Sequence, residues 1–343
     1  PLGGKGSYFQ QVLLIGSAPL SGSRLTISAF GELTPLKLGE DYLLHSTGAQ
    51  TWLPRPAPLV FVGYGIVAPE FDYNDYADVD VRGKVAMFLG GEPASDDPEY
   101  FAGREPTVYS AFESKVRTAL SRGAVASVFV PADMDLSGSR WARLEREYAF
   151  EHLGLASLVP SHLAILMHPM VARGLFDEAL FDYDQVLSMQ RRQVLRSFHL
   201  PVSLRFEGDF RTRSFLAANV VGRIPGSGKR LRDEAVVVSA HYDHLGRGPA
   251  VAGDSIYNGV IDNAIGSAGL LELARVLTAA PCRPRRTIII LFTTAEEEGN
   301  LGARFFLDHP PFPLSRIVAN VNIDGLAFQD RFINVVGIGA ELS

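Results

Sequence analysis

Apolar residues in the last third of the chain fall in short runs that alternate with helical patterns. Two runs, Ala235–Ala240 and Thr287–Thr293, have the composition of strands covered on both faces, and Ile317–Ile323 is a third predicted strand. Between them, Asn263–Ala279 has apolar residues at helical spacing, and Leu301–Asp308 predicts a short helix. This alternation predicts an α/β domain with a mostly parallel sheet flanked by helices.

The middle of the chain has a different pattern, richer in strands and turns. Leu59–Val62, Lys84–Leu89 and Ala126–Val130 are predicted strands, and Ala111–Arg122 is a predicted helix between the last two. Such a segment is typical of a compact, β-rich accessory domain.

These patterns divide the chain into three parts. We expect a partial N-terminal segment at 1–53, an accessory domain at 54–205 and an α/β domain at 206–343 that is incomplete at its C-terminal end. The chain opens at Pro1 without a charged and apolar leader, and a strand-like run, Phe332–Val336, lies just before its last residue. We therefore expect sequence to be missing at both ends.

Composition and charge narrow the classes of function. Hydrophobic residues make up 47% and charged residues 20% of the chain, as in ordinary globular proteins. The net charge is -6 without a basic cluster, which disfavours a nucleic-acid surface, and no apolar run is long enough for a membrane span. Cys282 is the single cysteine, which excludes an internal disulfide and a cysteine-rich zinc site.

Histidine and carboxylate side chains follow the three predicted strands of the α/β domain. His241 comes directly after the first strand, Glu296 and Glu297 follow the second, and Asp324 follows the third; Asp262 lies at the start of the intervening helix. In open α/β sheets, ligands bind beyond the carboxyl ends of the strands. Because imidazole and carboxylate groups are zinc ligands, and a carboxylate can bridge two cations, the pattern indicates a metal site at one edge of the sheet.

Four strings at these positions resemble zinc metallopeptidase family twenty-eight, which includes bacterial leucyl aminopeptidases, glutamate carboxypeptidase and aminopeptidase Y. They are His241-Tyr-Asp-His-Leu-Gly246, Asn258-Gly-Val-Ile-Asp-Asn-Ala-Ile-Gly266, Ala295-Glu-Glu-Glu-Gly299 and Asn322-Ile-Asp-Gly325. The middle segment is similar to the protease-associated domain inserted in such enzymes, in Phe61-Val-Gly-Tyr-Gly65 and Asp78-Val-Asp-Val-Arg-Gly-Lys84.

The resemblance implies a site with two zinc ions. His241 and Asp324 would bind one ion, Glu297 would bind the other, and Asp262 would bridge the two. The last zinc ligand of the family is a histidine well downstream, and no histidine follows Asp324 in this sequence. One ligand of the second ion is therefore expected beyond the sequence.

The resemblance also implies roles around the metals. Glu296 would be the general base that takes a proton from the attacking water and passes it to the leaving amine. Asp243 would hydrogen-bond the far nitrogen of His241 and so fix its tautomer. A cis peptide is expected between Asp262 and Asn263, and His244 receives no role.

The function implied is hydrolysis of N-terminal residues of peptides by metal-activated water, that is, a zinc aminopeptidase with peptide substrates. Two alternatives stay open: a related zinc carboxypeptidase or amidohydrolase, and a non-catalytic binding module that keeps the peptidase fold. A serine hydrolase is disfavoured because no Gly-x-Ser-x-Gly string occurs.

The cellular location of the protein and its assembly are predicted only from the resemblance to relatives with an inserted domain. Relatives with such an inserted domain are often exported, so we expect an exported protein (periplasmic, secreted or otherwise outside the cytoplasm). For the accessory domain we weigh equally a lid that narrows access to the metals and a passive packing role, which includes a homodimer interface.

Overall fold

The computed structural model describes residues 1–4, 6–29, 31–44, 52–131, 139–158 and 162–325. Within these residues the strands are β1 (Phe9–Pro19), β2 (Arg24–Ala29), β3 (Glu32–Leu36), β4 (Tyr42–Leu44), β5 (Leu53–Phe61), β6 (Val67–Ala68), β7 (Tyr73–Asn74), β8 (Val85–Leu89), β9 (Ala126–Val130), β10 (His152–Leu155), β11 (Leu163–Met167), β12 (Phe198–Glu207), β13 (Phe210–Ile224), β14 (Ala235–His241), β15 (Gly246–Val251), β16 (Asp254–Tyr257), β17 (Thr287–Thr293) and β18 (Ile317–Asn322).

The helices of the same residues are α1 (Phe112–Ser121), α2 (Ser139–Glu147), α3 (Pro169–Gly174), α4 (Tyr183–Arg191), α5 (Ile265–Ala279) and α6 (Leu301–Asp308). Among these described helices, none combines the length and apolar character that crossing a membrane requires. The predicted strand Phe332–Val336 lies outside the described residues.

The chain forms two compact units. The first unit consists of Pro1–Gly16, Leu153–Leu158 and Arg213–Ser343, and the second consists of Ser17–His152 and Val159–Thr212. The first unit is therefore assembled from three separate stretches of sequence.

The sheet of the first unit has the strand order β10-β1-β13-β17-β14-β18. Strands β17, β14 and β18 are parallel, with Ser239 of β14 opposite Leu291 of β17 and Asn322 of β18. Strand β13 runs antiparallel to β17. The prediction of a mostly parallel sheet holds for the three strands that precede the candidate site, whereas the sheet as a whole is mixed, because β13 enters as a long strand and not through a crossover helix.

Both faces of β14 and β17 are covered by helices. On one face Val237, Ile289 and Leu291 pack with Phe306 of α6. On the other face Ala240 and Phe292 pack, among others, with Leu270 of α5. Burial on both faces explains why β14 and β17 are nearly continuous apolar runs.

The second unit contains an eight-stranded sheet in the order β3-β2-β12-β5-β8-β9-β11-β4. Its central strands β5, β8, β9 and β11 are parallel, and β12, β2 and β3 add to them in antiparallel pairings. A large buried cluster of aromatic and aliphatic side chains covers this sheet, with Phe61, Phe176 and Phe198 in mutual ring contact. This unit has a core of its own.

The compact units do not have the predicted domain boundaries. Residues 1–16 lie in the first unit and residues 17–52 in the second, so the expected N-terminal segment is divided between them. Strand β1 lies between β10 and β13 in the sheet of the first unit, which explains the division. The other boundary moves from 205 to 212, since β12 and the start of β13 remain with the second unit.

Candidate metal centre

The three parallel strands bring the predicted side chains to one edge of the first unit. His241 is the last residue of β14, Glu296 and Glu297 lie in the loop after β17, and Asp324 lies two residues after β18. Asp262 comes from the turn that precedes α5. The structure thus brings together all four residues predicted to bind metal and the predicted general base.

The imidazole of His241 is at the centre of this group and is 1% exposed. Its Nε2 lies 3.0 Å from Oδ1 of Asp262 and 3.2 Å from Oδ1 of Asp324. Its Nδ1 lies 3.1 Å from the carbonyl oxygen of Asp243. In the tautomer that donates from Nδ1 to this carbonyl, Nε2 directs its lone pair toward the two carboxylates.

These separations fit the ligand shell of a small cation. Ligand atoms of a tetrahedral zinc ion lie roughly 3.4 Å apart, since each is about 2.0–2.2 Å from the ion. The three atoms from His241, Asp262 and Asp324 lie within 4.8 Å of one another, and so do those of a second set, His241, Glu296 and Glu297.

The charge of the site also favours a cation. Five carboxylates, those of Asp243, Asp262, Glu296, Glu297 and Asp324, lie close to two imidazoles. In the part of the chain that the structure describes, the ion pairs of these carboxylates are with histidine and not with Lys or Arg. Such clustered negative charge is unfavourable unless a cation compensates it, so the residues fit a metal site.

The turn that carries Asp262 is fastened to its surroundings. The peptide bond between Asp262 and Asn263 is cis, as expected from the resemblance. The Asn263 side chain donates to the carbonyl oxygen of Ile323 at 2.9 Å and accepts from the backbone N–H of Gly266 at 3.1 Å. These bonds tie the turn to the residues just before Asp324 and to the first turn of α5.

The same turn corrects one predicted boundary. Helix α5 begins at Ile265 and not at Asn263, because Asp262 (φ -117, ψ 93) and Asn263 (φ -137, ψ 39) have non-helical backbone. Ser267, in the first turn of α5, donates to the carbonyl oxygen of His241 at 2.9 Å. The helix start therefore holds both the turn and the end of β14.

Glu296 lies beside the His241 group. Its Oε2 is 3.9 Å from Nε2 of His241, and its side chain is 24% exposed. Burial raises the pKa of Glu296, and the carboxylates of Asp324 and Glu297 raise it further against the lowering effect of His241. A carboxylate with a raised pKa, within reach of the site and of solvent, has the properties of a general base.

The contact predicted for Asp243 is wrong in its atoms. Its carboxylate Oδ1 is 3.9 Å from Nδ1 of His241, too far for a hydrogen bond, and the carbonyl oxygen of the same residue occupies that position instead. The carboxylate Oδ2 accepts from the backbone N–H of Glu296 at 2.9 Å. Asp243 thus contacts both His241 and the loop of Glu296, but with different groups, and burial raises the pKa of its carboxyl.

His244 is the residue that the sequence pattern left without a role. Its Nδ1 lies 2.5 Å from Oε1 of Glu297, and its ligand atom forms a third close set with those of Asp262 and Glu297. The available signal was its position, one residue after Asp243 in the loop that leaves β14. A histidine in that loop is aimed at the same edge of the sheet.

Comparison with known proteins finds a family match over the segment that carries the site. Residues 219–341 match Peptidase family M28. Vacuolar membrane proteases are similar: that of Clavispora lusitaniae (strain ATCC 42720) is 38% identical over 107 residues, and that of Schizosaccharomyces japonicus (strain yFS275 / FY16936) is 34% identical over 111 residues. These matches cover 31% and 32% of this chain but only 9% and 11% of those proteins, so the chain spans about a tenth of the length of these curated relatives.

Solved structures with similarity to the chain include an aminopeptidase from Aneurinibacillus sp. strain AM-1 (20% identity, TM-score 0.47) and a zinc aminopeptidase from Bacillus subtilis (19% identity, TM-score 0.39). The matches cover 93% and 92% of this chain and 60% of each of those chains. The match at 219–341 contains every residue of the metal centre. The segment that carries the site is therefore the one that matches Peptidase family M28.

Proposed function

We propose that the protein is a zinc-dependent aminopeptidase whose active site is the metal centre described above. The observation that supports this proposal is that carboxylate oxygens of Asp262 and Asp324 lie 3.0 and 3.2 Å from Nε2 of His241, next to Glu296 and Glu297. Imidazole with carboxylates is a donor set that suits zinc. Zinc, when bound, lowers the pKa of a water molecule and polarises the scissile carbonyl group.

In this proposal each side chain has one task. His241 and Asp324 would hold one ion, Glu297 would hold a second, and Asp262 would contribute to both. Glu296 accepts a proton from the attacking water and gives it to the nitrogen of the leaving amine. Its raised pKa supports this role, because a base that also has to release its proton works best near the ambient pH.

The decisive experiment compares Glu296→Gln with the unmodified full-length protein. We expect the variant to keep its zinc content and to lose hydrolysis of a leucine anilide by roughly 10²- to 10⁴-fold, the usual contribution of a general base. The matched control is Glu298→Gln in the same loop, whose carboxylate accepts the backbone N–H of Leu153 and does not belong to the site. It should keep both zinc and activity.

Two other results would replace the proposal. Equal hydrolysis of the N-acetylated substrate would favour the carboxypeptidase or amidohydrolase alternative. A full-length protein without zinc and without hydrolysis would favour a binding module that keeps the fold.

For the second unit we propose an accessory domain of the protease-associated type. The support is its own buried core, its separate sheet, and the strings Phe61–Gly65 and Asp78–Lys84 within it. Removal of the unit and an assay of the remaining activity would test whether it is accessory to hydrolysis.

A further inference from the structure

The loop between β17 and α6 carries Glu296 and Glu297 and has an unusual backbone. Ala295 and Asn300 have φ values of +52° and +60°, in the left-handed region that favours glycine. Between them, the carbonyl oxygen of Glu296 accepts the backbone N–H groups of Gly299 and Asn300 at 2.9 and 2.8 Å. Residues other than glycine keep such a conformation only where their surroundings fix it. The contacts at the two ends of this loop therefore determine where Glu296 lies.

A single buried amide, that of Asn219 on β13, joins the two ends of the loop. This side chain is fully buried. Its Oδ1 accepts the backbone N–H of Thr294 at 3.1 Å, and its Nδ2 donates to the carbonyl oxygen of Gly302 at 2.8 Å. The carbonyl oxygen of Thr294 in turn accepts the backbone N–H of Gly302 at 2.9 Å. Asn219 thus closes the loop at its base, between the residue that follows β17 and the first turn of α6.

Gln10 fixes the orientation of that amide. The second N–H of Asn219 Nδ2 donates to Oε1 of Gln10 at 2.9 Å. Gln10 lies on β1 and is buried, and its Nε2 donates to the carbonyl oxygen of His309, the residue after α6, at 2.8 Å. The oxygen and both N–H groups of the Asn219 amide are therefore engaged, so the group has one orientation. The two amides connect β1 and β13 to both ends of α6.

The fit between Asn219 and the end of the loop is close. A Cβ atom at Gly302 would overlap the carbonyl oxygen of Thr294 and Oδ1 of Asn219. Because the backbone follows the amide so closely, a side chain of different bonding at position 219 shifts Thr294 or Gly302 and the loop with them.

We propose that Asn219 is a positioning residue for hydrolysis, which acts by holding Glu296 in place. This inference rests on the proposed function, in which Glu296 is the general base. Glu296 is two residues from Thr294, so the bond from Thr294 to Asn219 fixes the start of the backbone that carries the base. A displacement of about 1 Å in a reacting group can cost about 10²-fold in rate. Because Asn219 is buried, it acts on the reaction only through the loop.

A purely structural role is the competing explanation, because removal of a buried amide leaves its hydrogen-bond partners unsatisfied and lowers stability. Thr287, at the other end of β17, provides the comparison. It is buried, and its Oγ1 donates to the carbonyl oxygen of Arg232 at 2.7 Å and accepts the backbone N–H of Gly226 at 3.2 Å. Thr287→Val removes buried hydrogen bonds from the same unit and leaves the loop untouched. The pair of variants therefore separates a loss of stability from a loss of position.

The test compares Asn219→Leu and Thr287→Val with the unmodified full-length protein, all saturated with zinc. Leucine has nearly the shape of asparagine but makes no hydrogen bond. We expect kcat for a leucine anilide to fall about 10- to 100-fold in Asn219→Leu and KM to change less than about threefold, because a misplaced base acts on the transition state. Thr287→Val should keep both constants, although urea unfolding should show that both variants are less stable. Activity is measured at a temperature at which the unfolding curves show each variant fully folded.

Hydrogen exchange of the metal-free proteins reports on the loop without any activity. Peptides from residues 294–302 should exchange at least about tenfold faster in Asn219→Leu than in Thr287→Val, because the N–H of Thr294 loses its acceptor and Gly302 loses its donor. Strand β14 serves as the internal reference and should exchange alike in the two variants.

An unchanged kcat in folded Asn219→Leu, or an equal loss of kcat in Thr287→Val, would overturn the inference, and so would equal exchange of the loop in both variants. If the unmodified protein neither binds zinc nor hydrolyses the anilide, the proposed function fails and the inference fails with it. Should Asn219→Leu not fold, Asn219→Ser takes its place. The single hydroxyl hydrogen of serine cannot serve both Gly302 and Gln10, so kcat should still fall at least about fivefold. An unchanged kcat in Asn219→Ser would equally overturn the inference.

Discussion

At the scale of single residues, the second unit contains a histidine that cannot easily take up a proton. His162 lies just before β11, is 6% exposed, and its Nε2 is 2.8 Å from Oγ of Ser127 on β9. Burial lowers the pKa of His162 to about 4. The unfolded chain protonates this ring near the ordinary value of about 6.5.

This difference predicts that His162 makes the folded second unit less stable as the pH falls. Between pH 6.5 and 4 the unfolded state binds a proton at His162 that the folded state does not, so the contribution of this histidine to the free energy of unfolding decreases as the pH falls, by about 3 kcal/mol in total. Burial raises the pKa of the Asp75 carboxyl in the same unit to about 6, and this group contributes in the opposite direction. Both tryptophans, Trp52 and Trp141, belong to the second unit, so urea unfolding followed by tryptophan fluorescence at pH 7.5 and pH 5 reports on this unit.

The variant His162→Gln should lose less stability between pH 7.5 and pH 5 than the unmodified protein does, since its side chain can still bond Ser127 but does not titrate. The exposed His199 provides the control His199→Gln, which should keep the original slope. An equal slope in all three proteins would contradict the role of His162.

Residue positions at the metal centre were predictable, but atomic contacts were not. Sequence placed His241, Asp262, Glu297 and Asp324 at one edge because strand ends and family motifs coincide there. It could not show that Asp243 uses its carbonyl group toward His241, because that choice depends on the path of the backbone between them.

At the scale of elements, the turn and first residues of α5 control the geometry of the site. Gly266 approaches Asn263 so closely that an added Cβ atom would lie 2.2 Å from Oδ1 of that side chain, whereas nothing lies within 4 Å of a Cβ atom at Gly269. Both glycines are in the same helix, three residues apart. They form a natural pair for substitution.

We predict opposite effects of alanine at these two positions. Gly266→Ala should destabilise the first unit by about 1–3 kcal/mol and lower its zinc affinity, because Asn263 must move and Asp262 with it. Gly269→Ala should stabilise the helix by roughly 0.5–1 kcal/mol and leave zinc binding unchanged. Denaturant unfolding and zinc titration of both variants measure these effects, and equal losses in both would show that α5 does not position Asp262.

Elements were predicted better where their pattern was local. Strands β9 and β17 have the predicted bounds, since short apolar runs between turn residues identify them. The start of α5 was predicted two residues early, because the residues at Asp262 and Asn263 have the composition of a helix although their backbone is not helical.

At the scale of the whole molecule, the metal centre and the larger core belong to different units. The carboxylates and histidines of the site all lie in the first unit, whereas the large cluster around Phe61, Phe176 and Phe198 lies in the second. If the two units unfold separately, binding to the folded form stabilises the unit that forms the site. Zinc should therefore stabilise the two units unequally.

We predict that a chelator weakens the first unit alone. Hydrogen exchange of the full-length protein should show faster exchange in β14, β17 and β18 after zinc is removed, by up to about 100-fold if zinc was present at 100 times its dissociation constant. Exchange in β8, β9 and β11 should not change, and added zinc should restore the original rates. A similar acceleration in both sets of strands would show that the units are coupled.

The domain boundaries were the least predictable feature. Strand β1 pairs within the sheet of the first unit, although most of the second unit separates it from β13 in sequence. Local patterns of apolar residues identify a strand but not a partner that lies about two hundred positions away. For the same reason, the pairing of β10 with the distant strand β1 could not be predicted from local patterns.

The three-part construction of the first unit has a consequence for synthesis on the ribosome. Val12 and Leu14 of β1 pack with Leu301, which is translated close to three hundred residues later, roughly 15–60 s at ordinary elongation rates. The second unit, which ends at Thr212, is translated well before then and can fold while the first unit is still incomplete. During that interval the cluster of Val12 and Leu14 with Leu155 and Leu301 is incomplete, so the nascent chain is open to chaperones, and to misassembly with other copies, until α6 has been translated.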